Sequence, residues 1–143
     1  MDGFKISMDG RAAGDDHLLH AMAIGGLAPW QVRTINAHID ANLDREIGVQ
    51  DLAAVARLST SHFGRAFKKT FGRSPHAWLI AERLERARGL MLATAEPLAQ
   101  IAVAVGLADQ SHLSRLFRKH MGQSPFAWRR ARWTPQGVGL VLQ

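Results

Sequence analysis

Cysteine is absent from the 143 residues, which excludes disulfides, thiolate nucleophiles and Cys-based zinc sites. A reducing cytoplasm is compatible with that composition. No apolar run approaches the roughly 20 residues that a membrane-spanning helix needs. The stretch Met1 to Arg11 mixes Lys5 with Asp2 and Asp9 and lacks a long apolar centre, so it does not read as a signal peptide. Acidic residues are missing from the C-terminal part: none follows Asp109, whereas Arg115, Arg118, Lys119, Arg129, Arg130 and Arg132 all do.

Charge is therefore unevenly placed. Residues 1–28 hold two basic and four acidic residues, a balance of −2 against +6 for the whole chain, so the remainder carries +8. A basic domain of this kind points to a polyanion partner. With 47% hydrophobic residues, the chain has enough apolar surface for one ordinary domain with its own core.

An internal repeat organises the sequence. Residues 61–78, running from Ser61-His62-Phe63-Gly64-Arg65 to Ser74-Pro75-His76-Ala77-Trp78, recur fifty positions later as residues 111–128, from Ser111-His112-Leu113-Ser114-Arg115 to Ser124-Pro125-Phe126-Ala127-Trp128. Ten of the eighteen positions are identical. The likeness extends backwards from Leu52–Leu58 to Ile101–Leu107 at a spacing of 49, so the second copy has one extra residue in its turn. Each copy reads as a short alanine-rich helix, a tight turn and a basic helix, which is a duplicated unit rather than a solenoid.

Local chemistry marks the boundaries. Gly48 is a candidate N-cap for a helix over 50–58, with Asp51 in its first turn. Ser59 and Asp109 are expected N-caps of the basic helices, and Gly72 and Gly122 their left-handed ends. Ser74-Pro75 and Ser124-Pro125 each read as an N-cap followed by the first helical residue, and Pro29 opens a first helix in the same way. That helix runs to about Asn42, with Val32, Ile35, Ile39 and Leu43 in one apolar stripe. A helix after Pro75 spans the gap between the copies, and Glu96-Pro97 opens the helix of Leu98, Ile101, Ala102 and Val105. The expected division is a flexible arm over 1–28, with one weak helix from Leu18 to Ile24. A first helix-turn-helix subdomain over 29–74, a connecting helix over 75–93, a second subdomain over 94–133 and a tail over 134–143 follow.

From about Pro29 to Trp133 the chain resembles the DNA-binding domain of the AraC/XylS family of bacterial transcription regulators. The second copy carries most of the resemblance, from Ile101-Ala102 through Val105-Gly106-Leu107-Ala108-Asp109-Gln110-Ser111-His112-Leu113-Ser114-Arg115 to Gly122 and Ser124-Pro125, joined by Arg83-Leu84-Glu85-Arg86-Ala87 in the connecting helix. The resemblance implies an all-α fold of about seven helices, in which a long helix holds two helix-turn-helix units apart. It implies a cytoplasmic regulator, an activator that touches RNA polymerase as well as double-stranded DNA. Many family members append a sensor domain. With only about 28 residues before the first helix, the chain is expected to be a small stand-alone member or a fragment, and to bind as a monomer.

A recognition helix presents short or forked polar side chains to base edges and cations to phosphates. In the first unit the candidates for base contact are Thr60, Ser61 and Arg65, and in the second Gln110, Ser111, Ser114 and Arg115. Helical spacing places 61, 64, 65 and 68 on one face, as it does 111, 114, 115 and 118. Lys68, Lys69, Arg73, Arg118 and Lys119 are candidates for phosphate contact. For Arg65 and Arg115, clamping phosphate or pairing with an internal acid are the alternatives to reading a base. His62 and His112 are assigned to packing or phosphate, and Trp78 and Trp128 to the core. Gly64 departs from the family by leaving a contact position without a side chain, and costs the helix roughly 1 kcal/mol relative to alanine.

No enzyme is expected: a Ser-His-Asp arrangement, a phosphate loop and a cofactor fingerprint are all missing. Asp15-Asp16-His17 with His20 is a weak metal candidate, and no cofactor or metal is assigned. The rival reading is a protein-interaction module that docks on RNA polymerase or another regulator and binds DNA only weakly.

Overall fold

The computed structural model describes residues 25–132. The weak helix expected from Leu18 to Ile24, the Asp15-Asp16-His17 and His20 group, and the tail over 134–143 lie outside the described residues. Among the described residues the secondary structure is seven α-helices without a strand. They are α1 (Pro29–Asn42), α2 (Val49–Val55), α3 (Thr60–Phe71), α4 (Pro75–Ala93), α5 (Leu98–Ala104), α6 (Gln110–Met121) and α7 (Pro125–Arg132). The described residues form two compact units, one of residues 25–42 with Glu46–Leu79, the other of Leu43–Arg45 with residues 80–132. The helix α4 begins in the first and continues in the second.

In the first unit, Pro29 opens α1 as its spacing suggests, and Val32, Ile35 and Ile39 are buried. The Ala28 N–H donates to Gln31 Oε1 at 2.7 Å, so the third helical residue reaches back to cap the helix start. Gln31 Nε2 then donates to the Ala56 carbonyl at 2.8 Å, fastening α1 to the end of α2. At α2, Asp51 Oδ2 accepts from the Gly48 N–H at 3.3 Å in the same manner.

The expected helix over 50–58 is shorter at its end, because Arg57 takes a left-handed backbone with φ 61°. There Arg57 N–H donates to Ala54 O at 3.0 Å and Leu58 N–H to Ala53 O at 2.9 Å. These two bonds close the helix by the paired pattern that normally favours glycine. The Arg57 guanidinium lies over Trp30, 5.9 Å from its ring centre.

The turn leads into α3, where Ser59 Oγ accepts from His62 N–H at 3.2 Å. The helix stops at Gly72, φ 85°. Ser74 Oγ accepts from Ala77 N–H at 3.2 Å and Pro75 starts α4. Phe63, Phe67, Phe71 and Trp78 are buried. Phe67 and Phe71 stack at 4.1 Å, and Trp78 sets its edge against both. Thr70 is buried with them and its Oγ1 accepts from the Leu27 N–H at 2.8 Å.

The second unit repeats these devices. Gly106 and Leu107 close α5, donating to Val103 O at 3.0 Å and Ala102 O at 2.9 Å. Asp109 Oδ1 accepts from His112 N–H at 2.9 Å at the start of α6. The extra turn residue is Ala108, and its N–H is taken up by His112 Nδ1 at 3.3 Å. The helix ends on Gly122, φ 82°, and Ser124 Oγ accepts from Ala127 N–H at the start of α7. The core joins Leu84, Ala87 and Met91 of α4 to Ile101, Ala102, Val105, Leu113, Phe117 and Trp128. Phe117 meets Trp128 edge-on at 5.7 Å, the counterpart of Phe67 and Trp78 at 6.2 Å.

Two arginines tie the second unit together through carbonyl groups. Arg83 is buried, and its Nη1 donates to the Leu43 carbonyl and, at 2.8 Å, to that of Val105. Its Nη2 donates to Arg45 O at 3.1 Å. Burial lowers the pKa of this guanidinium, with nearby Asp44 opposing the shift. Arg129 on α7 donates to Met91 O at 3.1 Å, Thr94 O at 2.5 Å and Glu96 O at 2.6 Å, which occupies carbonyls at and beyond the end of α4. Burial lowers its pKa too, and Glu96 opposes the change.

Candidate nucleic-acid interface

Each basic helix is sharply two-sided. On α3 the buried side is Phe63, Ala66, Phe67, Thr70 and Phe71. Ser61, Arg65, Lys68 and Lys69 are exposed on the other side with Gly64 half-buried among them, while Thr60 is exposed at the helix start and Arg73 just beyond its end. On α6 the buried residues are Leu113 and Phe117, with Leu116 and Met121 partly buried against the same core. Gln110, Ser111, Arg115, Arg118 and Lys119 are exposed and Ser114 is half-buried. The two sets that spacing puts on one face, residues 61, 64, 65 and 68 and residues 111, 114, 115 and 118, are exposed or half-buried on their own helices. Ser114, Arg115, Arg118 and Lys119 line a shallow concavity there.

Arg65 Nη1 donates to Ser61 Oγ at 2.9 Å, one turn back, which holds the guanidinium along the helix surface. Neither Arg65 nor Arg115 pairs with an acid among the described residues. Lys68, Lys69, Arg118 and Lys119 have no hydrogen bond or ion pair among the described residues. They lie in the last turns of their helices, where cations also complement the partial negative charge of the helix end. His62 is exposed, while His112 is half-buried and holds the turn at Ala108.

The basic C-terminal residues behave differently from those on α6. Arg129 is occupied by three carbonyls. Arg132 lies over Trp128 at 4.5 Å, with Arg88 over the same ring at 5.4 Å. Arg130 lies over Phe126 at 5.9 Å. Counting charge along the sequence does not separate these groups, because their partners come from α4 and from neighbouring turns of α7. Arg83 and Arg129 are structurally important cations whose carbonyl-binding roles the sequence did not reveal. No local spacing signals them, since Leu43 and Val105 are distant in the chain from Arg83, as Met91 is from Arg129.

Among the described residues no group of three or more His, Asp or Glu side chains is arranged to hold a metal ion. No helix among them is long and apolar enough to cross a membrane.

Comparison with known proteins places this geometry. Residues 52–131 match the profile of a helix-turn-helix domain family. A probable transcriptional regulator of Photobacterium leiognathi, LumQ, is 36% identical over 74 residues, covering 52% of this chain and 30% of that protein. The DNA-binding domain of the global transcriptional factor AdpA, solved in complex with a target DNA, is 33% identical, with a TM-score of 0.66 over 72% of this chain and 95% of that one. An AraC-type transcriptional regulator from Chromobacterium violaceum is 26% identical, with a TM-score of 0.64 over 87% of this chain and 99% of its own. The chain spans less than a third of the length of the curated relatives it matches.

Proposed function

The chain belongs to the AraC-type helix-turn-helix family of transcription regulators, and on that footing we propose that it binds double-stranded DNA sequence-specifically, with α3 and α6 each inserted into the major groove. The observation that carries this reading is the matched pair Arg65 and Arg115, at equivalent positions of the repeat and exposed on the polar faces of their helices. The major groove is about 12 Å wide and admits a helix presented in this way. In the proposed complex Thr60, Ser61, Arg65, Gln110, Ser111, Ser114 and Arg115 face base edges, and Lys68, Lys69, Arg73, Arg118 and Lys119 face phosphates. That a similar domain, that of AdpA, was solved in complex with a target DNA supports DNA binding by family likeness.

Both helices lie on one chain, which favours binding as a monomer to an asymmetric site of about two helical turns, with the helices in successive grooves. Activation of transcription through contact with RNA polymerase belongs to the same proposal and follows from the family resemblance. Selection of bound sequences from a random DNA pool tests the core of it. An asymmetric motif with two separate conserved blocks is the expected result. Retention of DNA without sequence preference would sink the reading, and run-off transcription from the selected site tests the activator role.

A further inference from the structure

We propose that Gly64 is a specificity-determining position of the first recognition helix, acting through the side chain it lacks: it lets the backbone of α3 lie closer to the DNA than α6 can at Ser114. The inference rests on the DNA-binding reading above and deepens it.

Three observations carry it. Gly64 lies inside α3, with the exposed Ser61, Arg65 and Lys68 on the same face. A β-carbon built there meets no atom within 4 Å among the described residues, so none of them requires the residue to be glycine. Its backbone is not in the left-handed region either, unlike Gly72, Gly106 and Gly122. The glycine thus weakens a helix that has room for a side chain. The matching position in the second unit is Ser114, which lines the concavity together with Arg115, Arg118 and Lys119. The two faces therefore differ at one central point. The second offers a hydroxyl at that point, and the first offers bare backbone, which glycine permits wherever another group must come close.

Gly89 supplies an internal control. It too lies inside a helix, α4, is exposed, and would accept a β-carbon without meeting an atom within 4 Å. Replacing either glycine with alanine removes the same helix weakness, and only one of them stands on a recognition face.

The test compares Gly64→Ala, Gly64→Ser and Gly89→Ala in the full chain, each measured by thermal melting and by binding to DNA selected with the parent protein. All three are expected to melt at or above the parent temperature, the alanine variants a few degrees above it. Gly89→Ala is expected to bind as the parent does. Both Gly64 variants are expected to lose at least tenfold in affinity for the selected site while keeping nonspecific binding. A Gly64→Ala protein that binds the selected site as tightly as the parent overturns the inference and leaves the DNA-binding reading standing. If the parent itself shows no preference for any sequence, both are overturned together.

Discussion

The guanidinium of Arg83 fills the space that a β-carbon on Gly106 would need. Gly106 adopts φ 85°, and an added β-carbon would collide with Arg83 Nη1 and with the Leu43 carbonyl that Arg83 binds. The equivalent residue of the first unit, Arg57, has the same handedness at φ 61° but carries a full side chain, turned onto Trp30. One turn geometry thus tolerates a side chain in one unit and excludes it in the other.

Gly106→Ala is expected to destabilise the protein by about 2–5 kcal/mol, from left-handed strain together with crowding in a packed site. Arg57→Gly is expected to stay within about 1 kcal/mol of the parent, because relief of backbone strain is offset by the lost contact with Trp30 and by a more flexible unfolded chain. Equilibrium denaturation in urea checks both. Equal effects at the two positions would refute the role given to Arg83.

Substitution of the paired recognition arginines should act on binding and spare folding. Arg65→Ala and Arg115→Ala are each expected to lower affinity for the selected site by about 1–3 kcal/mol and to relax its sequence at one or two base pairs. Melting temperatures should stay close to that of the parent, since both side chains are exposed. Uniform weakening across all sequences would identify the arginines as phosphate contacts instead.

Salt separates the cations that face outward from those bound internally. If the five proposed phosphate contacts form in the complex, the logarithm of the binding constant is expected to fall with the logarithm of salt concentration at a slope of about −4.5. Arg118→Ala should reduce that slope by about 1 and leave stability unchanged. Arg129→Ala should leave the slope as it is and cost about 1.5–3 kcal/mol of stability, because three carbonyls lose a charged donor. Binding titrations across a salt series, paired with denaturation curves, read both effects.

Much of the fold was legible because the repeat fixes it locally. Ser59, Asp109, Gly72, Gly122 and the two Ser-Pro steps act within a turn of their own positions, and their caps follow from neighbouring residues. The outward faces of α3 and α6 were legible for the same reason, since the aromatic and aliphatic residues opposite them set which side is buried. What escaped depends on partners far along the chain. Thr70 and His120 occupy matching positions, yet Thr70 is buried because Leu27 N–H reaches its hydroxyl, while His120 is exposed. The early end of α2 at Val55 escaped as well, because arginine carries no signal for the left-handed backbone that Arg57 adopts. Net charge overstated the outward cations, as Arg83 and Arg129 are spent on carbonyls.

The edge-on contact of Phe67 with Trp78 has its twin in Phe117 with Trp128. Both pairs are buried, whereas Thr60, Ser61, Gln110 and Ser111 at the starts of the same helices are exposed. If those outer positions read bases as proposed, their mutation is expected to change either half of an operator preference while the scaffold under each half stays the same. A duplicated regulator built in this way can drift toward new promoters without first drifting away from its fold.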